Sequence, residues 1–212
     1  MVSLATIFIS SFMIALSGAL MPGPLLTATI SESVHRGTIT GPLLILGHGI
    51  LELALLFALL LGLAPFLTQD RVFAVIAIVG AGILVWMSVG MFRSRPSLDL
   101  SGSAGKAERG GLIVSGILMS LANPYWIVWW ATIGLGYVLY CRQQGPWGIA
   151  FFFAGHILAD LAWYTAVAAA IAKGKRFLND RLYRWLIWSC ASVLLVFAAY
   201  FFYTGLDKAR LL

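Results

Sequence analysis

Gly47-His48-Gly49-Ile50-Leu51-Glu52-Leu53-Ala54 is repeated later in the chain as Gly155-His156-Ile157-Leu158-Ala159-Asp160-Leu161-Ala162. Each copy runs glycine, histidine, three residues, an acid, leucine, alanine, and each lies inside a long apolar stretch. Four residues apart on a helix, the histidine and the acid share one face. A carboxylate in a bilayer centre costs about 3 kcal/mol on insertion scales, so two such sites need a reason. That reading depends on the apolar stretches being membrane spans.

Composition supports it. The 212 residues are 61% hydrophobic and 10% charged, with a mean hydropathy of +0.94. A soluble domain carries about a quarter charged residues, and apolar runs near the roughly 20-residue spanning length recur here from end to end. The chain therefore reads as an all-α integral membrane protein with one transmembrane domain over 1–212. Barrel strands would alternate apolar and polar over about ten residues, which these continuous runs do not. The net charge of +6 reads as basic cytoplasmic loops, not as a nucleic-acid surface. Cys141 and Cys190 fit neither a redox pair nor a disulfide framework and are expected to be unpaired. The first apolar segment lacks a basic leader and is expected to be a retained helix.

Six spans are expected: Leu4–Ser33, Ile39–Leu67, Val72–Phe92, Gly111–Tyr140, Trp147–Ala172 and Leu182–Leu206. Arg36, Arg93, Arg95, Lys106, Arg109, Lys173, Lys175, Arg176, Arg181 and Arg184 then fall on one side, against Arg71, Arg142, Lys208 and Arg210 on the other. This bias makes the first side cytoplasmic and puts both termini outside, in the cytoplasmic membrane of a prokaryote. A proline-broken helix, an HxxxE/D helix and a plain helix describe both halves, repeat one over 1–95 and repeat two over 110–212, joined by a cytoplasmic linker over 96–109. An odd number of spans per repeat inverts the second copy, an architecture common among secondary transporters.

The breaks are Pro22-Gly23-Pro24 in the first span and Asn123-Pro124 in the fourth. Proline removes a backbone hydrogen bond, and such breaks persist in a membrane where neighbours or a cavity satisfy the freed groups. Asn before Pro is also a start signal for a new half-helix, whose free N–H groups would receive an anion. Glu52 and Asp160, with His48 and His156, are expected to form one polar centre between the second and fifth spans. It could bind a substrate cation, relay protons or ligate a metal; a structural polar clamp is the competing role. Trp129, Trp130 and Trp163, clustered with Trp126 and Tyr164, lie deep enough for a ring to line a substrate cavity or meet a cation, whereas Trp147, Trp185 and Trp188 suit an interfacial belt.

Met21-Pro22-Gly23-Pro24, the acid Glu52 and Asn123-Pro124, in this order in a chain of this length, resemble the lysine exporter (LysE) family of amino-acid exporters. The resemblance implies efflux of amino acids or related small solutes. Leu51-Glu52 stands where such exporters typically have Gly-Asp, and Tyr125-Trp126 follows Asn-Pro where many have a lysine, so lysine or arginine is not implied as substrate. The expectation is a proton-coupled export carrier with alternating access around a midplane site, embedded in lipid, requiring no cofactor, with no nucleic-acid partner and compatible with a homodimer. Pro22, Gly23, Pro24, His48, Glu52, Asn123, Pro124, Trp129, Trp130, His156, Asp160 and Tyr164 are its candidate substrate and coupling residues. The alternative is a divalent-metal carrier using His48, Glu52, His156 and Asp160. An enzyme is not expected, because the HExxH spacing with its built-in base is absent.

Overall fold

The structure, a computed structural model, describes residues 3–67, 69–93, 109–174 and 179–210. The expected linker lies outside the described residues except for Arg109. Every regular element among the described residues is helical.

Helix α1 (Leu4–Ala19) is capped by Ser3, whose hydroxyl accepts from the Thr6 amide at 3.1 Å. It stops before Pro22-Gly23-Pro24, and α2 (Pro24–Arg36) starts with proline at its first position, where the missing N–H and fixed φ suit a helix start. At Gly37 φ is +76°, a left-handed conformation that glycine adopts without strain. A short 3₁₀ turn (Gly37–Ile39) then leads into α3 (Thr40–Ala58). A π-helical stretch (Leu59–Leu63) and α4 (Ala64–Leu67) precede α5 (Asp70–Arg93). The second half begins with α6 (Arg109–Leu121) and α7 (Pro124–Trp129). It continues through a π-helical stretch (Trp130–Gly134) to α8 (Leu135–Arg142), α9 (Gly145–Gly174) and α10 (Asp180–Arg210).

Length and apolar composition support four or five membrane spans among the described residues, against the six expected. Pro24–Leu63, Asp70–Arg93, Gly145–Gly174 and Asp180–Ala209 qualify, and Gly110–Leu121 with Tyr125–Arg142 makes a fifth if the pair, bent by 66°, is one span. The expected Leu4–Ser33 span is divided: α1 has 16 residues, short of the roughly 20 a crossing needs, and α2 continues toward α3. The cause is local, since the two prolines remove two amides within three residues.

The packing crosses between the halves. Helix α1 lies along α9, where Ser11 donates to the Phe152 carbonyl at 2.7 Å. Helix α6 lies along α3, and α5 pairs with α10, with Ser88 donating to the Ala191 carbonyl at 2.8 Å and Lys208 2.8 Å from Asp70. The first glycine of each repeated phrase lies in close contact with a helix from the other half. A Cβ at Gly155 would strike the Phe8 carbonyl oxygen of α1, and one at Gly47 the Ile113 carbonyl oxygen of α6. Gly116 of α6 in turn meets the Leu44 carbonyl oxygen. Small residues let membrane helices approach this closely.

Gly47→Ala and Gly116→Ala should therefore each lower stability by about 1–3 kcal/mol through overpacking. Gly82→Ala, with nothing within 4 Å of its added carbon, should be neutral or stabilising. Thermal unfolding of the purified variants in detergent separates the two outcomes.

Candidate functional site

The α3–α6 and α1–α9 contacts set the two histidine–acid faces opposite each other, and all four side chains are buried. His48 is 7% exposed, Glu52 1%, His156 4% and Asp160 4%. His48 Nε2 lies 3.0 Å from Glu52 Oε1 and 3.7 Å from Asp160 Oδ2. His156 Nε2 lies 3.0 Å from Glu52 Oε2 and 3.5 Å from Asp160 Oδ2. Each imidazole thus faces the acid of its own helix and that of the other.

Glu52 is the hub. Its Oε1 accepts from the indole N–H of Trp130 at 2.8 Å and of Trp126 at 3.0 Å. Trp126 and Trp130 are one turn apart, so both N–H groups reach the same oxygen. Trp130 opens the π-helical stretch that ends at Gly134, and a Cβ at Gly134 would lie 2.8 Å from the Trp130 ring and 3.0 Å from that of Trp129. Single π turns often mark functional sites; this one makes room for two adjacent tryptophans. Trp129 donates to the Ser17 hydroxyl at 3.3 Å and its ring centre lies 4.9 Å from that of His156. Phe152 stands on another side of the same imidazole, 5.9 Å between ring centres.

A cavity with about 40 Å³ of free volume opens beside these groups, bordered by His48, Glu52, His156, Asp160, Asn123 and Tyr164 among others. Leu25, from the first turn of α2, also lines it. The N-cap of α2 is Gly23, which provides no side-chain hydrogen bond. Asn123 accepts from the Tyr125 amide at 3.1 Å and caps α7. Its amide group would lie 3.2 Å from a Cβ at Gly23, so the two breaks meet. Pro22 and Gly23 line a smaller neighbouring pocket with Asn123 and Tyr125, not the central cavity.

The expected residues thus fall into two places. His48, Glu52, His156, Asp160, Trp129 and Tyr164 gather at the cavity, with Asn123 on its border and Trp130 reaching it through Glu52. Pro22, Gly23 and Pro24 shape the break beside it. Sequence reasoning missed Ser120, whose hydroxyl is 2.7 Å from His48 Nδ1, and the part played by Trp126. The Trp126–Trp130 spacing carried a signal for the second; nothing near Ser120 announced the first. Cys141 and Cys190 are both buried and free.

Comparison with known proteins agrees with this architecture. The family model for the LysE type translocator matches residues 16–205. The chain belongs to the LysE type translocator family. It is similar to the "Putative amino acid efflux protein YcgF" of Bacillus subtilis, 27% identical over 209 residues that cover 95% of this chain and 98% of the relative. It is also similar to the "Chemotactic transduction protein ChpE" of Pseudomonas aeruginosa, 28% identical over 172 residues, 78% of this chain and 82% of that one. No solved structure matches it. This LysE-type chain is a multi-pass membrane transporter.

Trp130→Phe removes one of the two indole donors to a buried carboxylate and should cost about 1.5–3 kcal/mol. Trp163, whose indole nitrogen has no hydrogen-bond partner, supplies the control. Trp163→Phe should leave the melting temperature of the purified protein within a degree or two while Trp130→Phe lowers it measurably.

Proposed function

We propose that this LysE-type transporter is a proton-coupled exporter of amino acids, working by alternating access between two inverted halves. The observation that carries the reading is the division of labour between the two acids. Glu52 Oε1 is held by two indoles and its Oε2 lies 3.0 Å from His156 Nε2, whereas Asp160 Oδ2 is buried with no hydrogen-bond donor and no imidazole nitrogen nearer than 3.5 Å. A buried carboxylate oxygen without a donor is costly, and a substrate ammonium supplies three donors and the opposite charge. Asp160 is then the ammonium acceptor, and Glu52, between two imidazoles, is the coupling acid that exchanges protons with them.

The carboxylate end of the substrate meets the start of α2. Its N-cap offers no side-chain acceptor and its first turn lines the cavity, so its free N–H groups and positive dipole end receive the anion. The rings of Trp129 and Tyr164 line the space between the two ends. The cavity is small for an amino acid, so α1 and α2 would move away from α9 to load substrate. The exchange of half-helices, α1 onto α9 and α6 onto α3, supports inverted halves, since two inverted copies related by a two-fold would make that same exchange. YcgF, named for amino acid efflux, supports the substrate class and the direction.

Reconstituted protein should drive counterflow of one or more neutral amino acids from a panel, and a protonophore should collapse gradient-driven accumulation. Asp160→Asn should raise the half-saturating substrate concentration by about tenfold or more, which corresponds to about 1.4 kcal/mol. Unimpaired transport by the Glu52→Gln, Asp160→Asn double variant would overturn the assignment.

A further inference from the structure

Ser120 determines which nitrogen of His48 carries a proton. Its hydroxyl donates to the Gly116 carbonyl at 2.7 Å, one turn back on α6. That hydrogen is spent, so at the 2.7 Å contact with His48 the Ser120 oxygen accepts and Nδ1 donates. In the neutral imidazole Nε2 is then a bare lone pair. It points at Glu52 Oε1 and Asp160 Oδ2, 3.0 and 3.7 Å away. Three electron-rich atoms facing one another in a buried site are stabilised by a cation among them, either a proton on Nε2 or a metal ion. Glu52 Oε2 and Asp160 Oδ2 also lack hydrogen-bond donors while fully shielded from solvent.

We propose that His48, Glu52 and Asp160 bind a divalent transition-metal ion of the zinc type, and that this ion competes with the ammonium end of the substrate. One ligand atom from each of the three residues falls in a set whose members all lie within 4.8 Å of one another. Bonds of about 2.1 Å in tetrahedral geometry put ligand atoms about 3.4 Å apart, and the two distances from His48 Nε2 bracket that value. Three protein ligands leave a fourth position, and His156 Nε2, 3.0 and 3.5 Å from the same two carboxylates, is the nearest remaining donor. The donor set selects the metal. Imidazole with carboxylate suits zinc and its neighbours, whereas magnesium and calcium prefer oxygen donors alone and more of them. The hydrogen bond from Nδ1 to Ser120 is the outer partner that fixes the tautomer and orientation of a ligating histidine. The cavity, at about 40 Å³, admits an ion more readily than an amino acid.

Binding does not depend on the export reading; the competition does. The test uses the full-length protein, stripped with a chelator, reconstituted in nanodiscs and titrated with zinc chloride by calorimetry. Cobalt is the spectroscopic probe, its visible bands reporting coordination geometry. The expected result is one zinc per chain, intense tetrahedral-type cobalt bands and no comparable binding of magnesium. Ser120→Ala should weaken zinc binding about 10–100-fold, the range for outer partners of ligating histidines. Asp160→Asn and His48→Ala should abolish it, and Cys141→Ser with Cys190→Ser should leave it unchanged. Lower pH should weaken binding, because protons compete for Nε2. Absence of zinc binding to the native chain, or equal binding to Ser120→Ala and Asp160→Asn, would overturn the site; Ser120→Ala keeps the test informative if His48→Ala does not fold. In proteoliposomes zinc should slow amino-acid flux and a chelator restore it. Zinc binding with uninhibited flux would overturn the competition alone, and zinc binding without any amino-acid flux would count against the export reading alone.

Discussion

A carboxylate buried among membrane helices must be met by donors or opposite charge, because no water is there to stabilise it. Glu52 is that carboxylate, 1% exposed, and much of the structure can be traced from its needs. Two indole N–H groups reach its Oε1 from one face of the α7 segment, and two imidazoles reach it from α3 and α9. Those four nitrogens come from both halves of the chain. The hub therefore ties the two halves of the chain together.

The ties differ in what they can release. The indole bonds are neutral donors on rigid rings, held by the packing that Gly134 permits. The imidazole contacts depend on protons or other cations, and Asp160 Oδ2 remains without a hydrogen-bond donor beside them. Glu52 is the more tightly held of the two acids, although its Oε2, like Asp160 Oδ2, has no hydrogen-bond donor. The family assignment and the relationship to YcgF place these groups in a membrane transporter.

Much of the fold was legible along the chain. The helical class, the approximate ends of α3, α5, α9 and α10, and the breaks at Pro22–Pro24 and Asn123–Pro124 follow from local chemistry, namely apolar run length and the missing amide of proline. The span count was less legible. Hydropathy alone cannot show that α1, with 16 residues, stops short of a full crossing while α2 turns through Gly37 toward α3. The meeting of His48, Glu52, His156 and Asp160 was foreshadowed by the repeated phrase, since i,i+4 spacing places each pair on one face whatever the packing.

Spacing and hydropathy act within one helix, so the order of residues alone specifies a helical membrane protein with two matched histidine–acid faces. Helix packing was needed to bring Ser120 to His48, to let Trp126 and Trp130 share one oxygen of Glu52, and to bury Asp160 Oδ2 without a donor. Those outcomes depend on which helix lies beside which, and on a π-helical stretch that turns adjacent tryptophans toward different partners. Contacts between residues 72 to 104 positions apart leave no periodic trace in a single chain. Hydrogen-bond direction at a buried site exists only once its partners have been brought together.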